Sequence, residues 1–306
     1  MNNILITGYN GFVGSNLTEA LKENHLIGVD LFKGDSVNEH FSWQDLNKIK
    51  NIDCIIHLAG KAHDTKNTSH EDEYFDVNVG LTKQIFDVFL NSTAKTFIFF
   101  SSVKAVADSV SGDFLSEDTI PDPKTPYGIS KLIAEKYILE QPIQPGKKVF
   151  ILRPCMIHGP GNKGNLNLLY KLTQKRIPWP LGAFENNRSF TSIQNLLFVI
   201  QEIVEKDIEA GIYQIADDEP LSTNNLVHLM ANSLNRKAHI WNITPNLIKI
   251  MAKAGDRLRL PINSERLKKL TESYVVSNLK LKKALGIEKM PYKATEGMKK
   301  TFESFL

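Results

Sequence analysis

Through the first 155 residues, short apolar runs alternate with stretches whose apolar residues recur at helical spacing. Residues 4–7, 25–30, 54–58, 97–101 and 149–153 are brief, rich in β-branched or aromatic residues and bounded by turn formers, which predicts strands. Between them the spacing predicts helices over 12–23, 74–91 and 126–140. Strands separated by helical crossovers predict an α/β fold, a Rossmann-like, doubly wound parallel sheet. Such a sheet carries its ligand crevice at the carboxyl ends of the strands.

The texture changes after Pro154. A stretch rich in glycine, asparagine and proline, residues 158–167, precedes a predicted helix over 168–176 and the loop Ile177, Pro178, Trp179 and Pro180. A helix over 193–206 and a strand over 212–215 return to the sheet, and the remainder from about Glu219 reads as mostly helical. The expected organisation is a sheet domain over 1–157 with a return segment at about 189–217. A smaller, mostly helical C-terminal substrate lobe takes 158–188 and 218–306.

Composition narrows the classes. A chain of 306 residues with 42% hydrophobic content can bury an ordinary core without staples. Cys54 and Cys155 each fall in an apolar strand or at a strand end, so no disulfide framework and no metal site is expected, and a reducing compartment fits. Thirty-seven basic and 34 acidic residues leave a net charge of +3, too balanced for a nucleic-acid or membrane-surface footprint, though a small anionic ligand fits. The first residues lack a basic leader, and no apolar run of about 18 residues occurs. A soluble, cytoplasmic protein with no membrane partner is the expectation.

Gly8, Gly11 and Gly14 follow the first strand and open the first helix. Glycines so spaced allow a tight turn, a close backbone approach to a pyrophosphate and close packing of helix on strand, while the helix N-terminus offers N–H groups to the phosphate. Asp30 ends the second strand, where a carboxylate accepts ribose hydroxyls and repels a 2′-phosphate, favouring NAD over NADP. Lys33 lies close enough to blunt that preference. Asp45 and Leu46 either close around the adenine or cap a helix.

Tyr127 and Lys131 stand at i and i+4, on one face of the helix over 126–140. An ammonium near a phenol favours the phenolate, so the spacing predicts a lowered Tyr127 pKa and a proton-exchanging group. Lys131 is also placed to hold the nicotinamide ribose. Ser101 and Ser102 end the fourth strand, where a hydroxyl can bond the same substrate oxygen, and Leu58, Ala59 and Gly60 end the strand before it, where small residues let a cofactor lie flat. His57 reads as structural and Asn78 as a core amide bridging helix and loop.

These pieces, in this order, resemble the extended short-chain dehydrogenases/reductases over nearly the whole chain. They are most similar to the nucleotide-sugar branch that includes UDP-hexose 4-epimerases and 4-keto-hexosamine reductases. The resemblance implies catalysis by Ser102, Tyr127 and Lys131. It implies a cofactor site of Gly8, Asn10, Gly11, Phe12, Val13, Gly14, Asp30, Asp45, Leu46, Leu58, Ala59, Gly60, Ser101, Tyr127, Lys131 and Pro154. For the substrate it implies Ser102, Lys104, Tyr127, Asn165, Leu166, Arg188 and Arg266. Asn165 lies in a loop similar to the one that holds the nucleotide diphosphate, and an arginine at 188 suits phosphate because its planar fork pairs two oxygens. The alternative for Asn165, Arg188 and Arg266 is that they are ordinary solvated side chains that touch no ligand.

Departures narrow the reaction. Dehydratase relatives carry an acid pair where this chain has Val103 and Lys104, which disfavours dehydration. Relatives that epimerise at carbons 3 and 5 before reducing carry a cysteine where Lys104 stands, which disfavours that activity. His158, Val106 and Ala107 replace family aromatic and glycine positions and bear on sugar specificity. The expected function is an NAD-dependent 4-epimerase of a UDP-hexose or UDP-N-acetylhexosamine, with a UDP-4-keto-6-deoxyhexosamine reductase as the alternative. A non-catalytic NAD-responsive module and a reductase of non-sugar ketones are the remaining classes. Relatives pair into homodimers through the helices over 74–91 and 126–140, to which Ile85, Phe86 and Phe89 bring either interface or core.

Overall fold

The apolar runs become strands buried on both faces. In the computed structural model, which describes residues 1–62, 70–162, 164–258 and 263–306, β1 (Asn3–Thr7) leads through the glycine turn into α1 (Phe12–Ala20) and β2 (His25–Val29). There follow β3 (Glu39–Phe41), a 3-10 turn over Trp43–Lys48, and β4 (Cys54–His57). Next come α2 (Glu71–Phe75), a π-turn over Asp76–Gly80, α3 (Leu81–Asn91), β5 (Thr96–Phe100), α4 (Pro126–Glu140) and β6 (Lys148–Pro154).

The second half supplies β7 (Met156–His158), α5 (Asn165–Gln174), β8 (Phe190–Ser192), α6 (Ile193–Glu205) and β9 (Gly211–Ile215). It ends with α7 (Thr223–Ser233), α8 (Pro245–Leu258), α9 (Ser264–Thr271), α10 (Leu279–Leu285) and α11 (Ala294–Glu303).

Seven strands form one sheet in the order β3-β2-β1-β4-β5-β6-β9, and every pairing is parallel. The chain winds outward from β1 to β3, then returns to β4 and winds the other way, so the strand order reverses between β1 and β4. In such sheets the reversal opens a crevice at the carboxyl ends. Successive side chains of a strand point to opposite faces. Ile4 and Ile6 therefore pack with Leu17, Leu196 and Val199 on one side, and Leu5 packs with Ile85, Phe86, Phe97 and Ile138 on the other. That double burial is why the strands read as apolar runs and not as alternation.

Outside the sheet, β7 pairs with β8, and a separate core of Leu166, Tyr170, Phe190, Met230, Met298 and Phe302 joins α5, α7 and α11. A further cluster of Trp179, Leu181, Val227, Ile248, Ala252 and Leu267 seats α8 and α9. Among the described residues no helix is long and apolar enough to cross a membrane.

Several expectations change. The helix expected over 74–91 is found, extended back to Glu71 and widened to a π-turn at Asp76–Gly80, where the Asn78 side chain bonds the Lys61 backbone. Ile85, Phe86 and Phe89 are fully buried in the core under the sheet and bring no apolar surface to an interface. The helix expected over 12–23 stops at Ala20, and the one expected over 168–176 begins at Asn165. Strands β3, β7 and β8, three residues each, are too short for periodicity to announce.

Candidate active site

The glycine turn lies over the reversal point. Gly8 holds φ +70°, in the left-handed region that favours glycine, and donates to the Val29 carbonyl at 2.9 Å. A Cβ on Gly8 would sit 2.8 Å from the Ala59 nitrogen, and one on Gly14 would sit 2.4 Å from the Gly8 carbonyl oxygen. Backbone therefore fills the space where side chains would stand, the form a pyrophosphate cradle takes. At its rim the Asp30 carboxylate accepts the Asn10 amide at 3.0 Å and the Leu31 amide at 2.7 Å. Asn10 in turn donates to the Phe32 carbonyl at 2.7 Å, and the Tyr9 hydroxyl accepts the Gly34 amide at 2.7 Å. These bonds tie the turn to the segment after β2. The cradle and its rim carboxylate fit a dinucleotide.

Beneath the turn, His57 is wholly buried. Its Nδ1 meets the Thr7 hydroxyl at 2.6 Å and its Nε2 meets the Thr82 hydroxyl at 2.9 Å. Thr82 donates to the Asn78 carbonyl and Thr7 accepts the Ala59 amide, so the donors run one way. Nε2 carries the proton, the ring is neutral, and burial holds the His57 pKa well below its ordinary value. The chain of bonds joins the glycine turn, the segment Leu58–Gly60 and the π-turn. Asn78 adds bonds to both polar groups of the Lys61 backbone and to the Ser130 hydroxyl on α4. It bridges helix and loop as its sequence context suggested.

Tyr127 and Lys131 are set by the start of α4. Thr125 caps that helix through the Gly128 amide, and the Asp108 carboxylate accepts the Lys124 and Thr125 amides and the Thr125 hydroxyl. Pro126 at the first helical position costs no hydrogen bond there. Tyr127 is half-buried and edge-on to Tyr74 at 6.4 Å, with Ser102 near enough for its hydroxyl to favour the ionised phenol. The buried Lys131 ammonium donates to the Phe100 carbonyl at 2.8 Å and lies 3.0 Å from where a Gly60 Cβ would be.

The expected lowering of the Tyr127 pKa is not what the geometry gives. Burial pushes the phenol up, Ser102 opposes it, and Tyr74 adds to the rise. Lys131 is instead the perturbed member: burial takes its ammonium down to about 8 against the attraction of Glu135. Its charge is turned toward the strand carbonyl, which is why it does not relieve the phenol.

Glu135 and Arg153 escaped the sequence reading. Both are buried, paired at Nη2–Oε2 2.5 Å and Nε–Oε1 2.9 Å, and Ser101 donates its hydroxyl to the same carboxylate. The signal was available, since Glu135 follows Lys131 by one helical turn. Its strand partner was not legible.

On the substrate side, Lys104 donates its amide to the Ser102 hydroxyl at 3.2 Å and places its ammonium 4.3 Å from the centre of the Tyr274 ring. Burial lowers the Lys104 pKa, with Arg188 and Lys269 adding repulsion and Asp108 and Glu272 opposing. Arg188 stands between Leu221 and Tyr274 and donates to the Lys269 carbonyl at 2.7 Å. Lys104, Arg188 and Tyr274 are thus brought together. Arg266 is exposed on α9, and Leu166 is buried in the lobe core. Asn165 opens α5; its side chain lies outside the described residues. Asp45 is paired with Lys48 at 2.6 Å and accepts the Ser42 hydroxyl, while Leu46 is buried under the sheet and Pro154 ends β6. Phe12 packs its ring near Gly159 and Gly161. Among the described residues no group of three or more His, Cys, Asp or Glu is arranged to hold a metal.

The profile of the NAD dependent epimerase/dehydratase family matches residues 4–216. The chain is 30% identical to the UDP-glucose 4-epimerase of Vibrio cholerae, an alignment covering 99% of this chain and 95% of that protein. It is 25% identical to the GDP-6-deoxy-D-mannose reductase of Pseudomonas aeruginosa over 75% of this chain and 79% of that one. The crystal structure of UDP-glucuronic acid 4-epimerase from Bacillus cereus in complex with NAD superposes with a TM-score of 0.76 at 19% identity, covering 99% and 98% of the two chains. That last likeness is one of fold.

Proposed function

This chain belongs to the NAD dependent epimerase/dehydratase family, and from that premise we propose that it is a nucleotide-sugar 4-epimerase acting on a UDP-hexose or UDP-N-acetylhexosamine. It is an NAD-dependent enzyme of the extended short-chain dehydrogenase/reductase type. The observation that supports the finer reading is the 30% identity to the UDP-glucose 4-epimerase of Vibrio cholerae along nearly the whole chain, with Ser102, Tyr127 and the buried Lys131 standing at the sheet's carboxyl edge to supply the chemistry. When bound, NAD supplies the acceptor and donor for the hydride at sugar carbon 4.

Tyr127 exchanges the proton of the 4-hydroxyl, and Ser102 orients that oxygen. Lys131, one turn along the same helix and bonded to the Phe100 carbonyl beside Gly60, holds the nicotinamide ribose. Asp30 and the glycine turn hold the dinucleotide, and Arg188 with Lys104 supplies cations for the charged part of the substrate. Val103 and Lys104 give no acid pair beside Ser102, consistent with redox chemistry at carbon 4 without loss of water.

The test is to incubate the purified protein with UDP-glucose, and separately with UDP-N-acetylglucosamine, without added cofactor. Interconversion with the 4-epimer supports the proposal. Stoichiometric consumption of NADH or NADPH on a 4-keto sugar, with no interconversion, overturns it in favour of a reductase.

A further inference from the structure

Helix α8 carries two apolar sectors. One, made of Ile248, Ala252 and Gly255, is buried, with Ile248 and Ala252 in the cluster of Trp179, Leu181, Val227 and Leu267. The other runs along Leu247, Ile250, Met251, Ala254 and Leu258, at i, i+3, i+4, i+7 and i+11, and so forms one stripe. Leu247, Ile250, Met251 and Leu258 are 52%, 64%, 51% and 67% exposed. Four large apolar side chains held in water along one face are more than the scattered singles a surface tolerates.

Charge identifies what covers them. Lys249, Lys253 and Arg257 recur at i, i+4 and i+8 and form a cationic row beside the apolar stripe, all exposed. The one acid of α8, Asp256, is turned to α9, where it accepts the amide and the hydroxyl of Ser264 at 2.9 and 2.6 Å. Across α8 and α9 there are six Lys and Arg against two Asp and Glu, a local excess larger than the net +3 of the whole chain. The even balance of the full sequence hides this concentration.

We propose that the exposed face of α8 is a docking surface for an anionic lipid bilayer, lying in the plane of the headgroups with Leu247, Ile250, Met251 and Leu258 inserted and Lys249, Lys253 and Arg257 on the lipid charges. An apolar stripe flanked by cations is the pattern of a helix that lies in a membrane interface without crossing it. A second copy fits less well, since apposing two such faces brings cationic rows together with no free acid on α8 to meet them. The surface belongs to the lobe that carries the candidate substrate site, because α8 packs on α9 and α9 accepts the Arg188 guanidinium through the Lys269 carbonyl. The inference is independent of the sugar chemistry proposed above.

The experiment is vesicle co-sedimentation of the full chain, comparing phosphatidylcholine alone with an equimolar mixture of phosphatidylcholine and phosphatidylglycerol. Sedimentation with the mixed vesicles and not with phosphatidylcholine alone is expected, weakened by added salt because screening acts on the charges. Ile250→Ser with Met251→Ser, and separately Lys249→Glu with Lys253→Glu and Arg257→Glu, should each lower the bound fraction at least tenfold. Turnover of a soluble nucleotide sugar should stay unchanged in both. Met251→Trp, which keeps an apolar side chain, should bind at least as well, with its added fluorescence shifting to the blue on mixed vesicles.

Absence of sedimentation with any vesicle, or sedimentation indifferent to both sets of substitutions, overturns the proposal. So does a concentration-dependent dimer that Ile250→Ser with Met251→Ser abolishes while vesicles bind nothing, which would assign the face to a second copy.

Discussion

Glu135 on α4 and Arg153 on β6 meet side-on, with Nε–Oε1 at 2.9 Å and Nη2–Oε2 at 2.5 Å, and both side chains are almost wholly withdrawn from water. The pair bolts the helix that carries Tyr127 and Lys131 to the sheet. Ser101, adjacent to Ser102, donates to the same carboxylate.

Breaking this pair on one side leaves a buried charge uncompensated. Arg153→Met is therefore expected to lower the unfolding free energy by about 3–5 kcal/mol. Combining it with Glu135→Leu should cost less than the sum of the two single changes. Urea unfolding of the four proteins measures this, and additive losses would show that the two side chains are not coupled.

Tyr127→Phe removes the hydroxyl that stands near Ser102 and leaves the ring in place against Tyr74. Turnover should fall by roughly 10²–10⁴-fold, the usual contribution of a positioned acid or base. Thermal unfolding should stay within about 1 kcal/mol of the parent, since the ring contact with Tyr74 is kept and no core volume is lost. Normal turnover in this variant would sink the role given to Tyr127.

Lys131 sets a pH dependence of stability. Its folded pKa, about 8, lies below its ordinary 10.5, so between these values the unfolded chain binds the proton and the native protein does not. Stability contributed by this group rises with pH through that window, and below about pH 8 the full cost of the buried ammonium is present. Lys131→Met should be more stable relative to the parent at pH 7 than at pH 10, by up to about 3 kcal/mol. Denaturant unfolding at the two pH values tests the sign.

His57 acts at lower pH. Its native pKa is held well below the ordinary 6.5, so as pH falls beneath 6.5 the unfolded chain takes up a proton that the buried ring refuses. Stability is fully present above that point and declines below it, by at most about 1.4 kcal/mol per pH unit for one proton. His57→Gln, which does not titrate, should show a flatter acid limb. A limb of unchanged slope would transfer the effect to other groups.

Gly14→Ala places a Cβ 2.4 Å from the Gly8 carbonyl oxygen and 2.5 Å from the Tyr9 Cα, contacts that backbone cannot yield. NAD affinity, followed by calorimetry, should fall at least about tenfold, since the turn must open to admit the methyl group. Gly80→Ala, where a Cβ meets nothing within 4 Å, is the matched control and should bind NAD as the parent does.

Whatever depends on neighbours along the chain was legible in the sequence. The glycine turn announced itself because Gly8, Gly11 and Gly14 sit between a strand and a helix. The range predicted for α4, residues 126–140, coincides with the helix found, because Thr125 and Pro126 fix its start locally. The order of strands and crossovers followed from the apolar runs. Their burial on both faces leaves a mark at every residue.

What joins residues distant in sequence was decided only by the tertiary structure. The π-turn at Asp76–Gly80 exists because Asn78 reaches Lys61 and Ser130, a contact no helical periodicity encodes. Ile85, Phe86 and Phe89 could have served an interface or a core until the sheet claimed them. Arg153 looked like the end of a strand until the crossover laid it against Glu135. Lys104, Arg188 and Tyr274 converge from three separate segments. Local patterns record how each residue is buried and turned. Which buried charges meet is set by how the crossovers close.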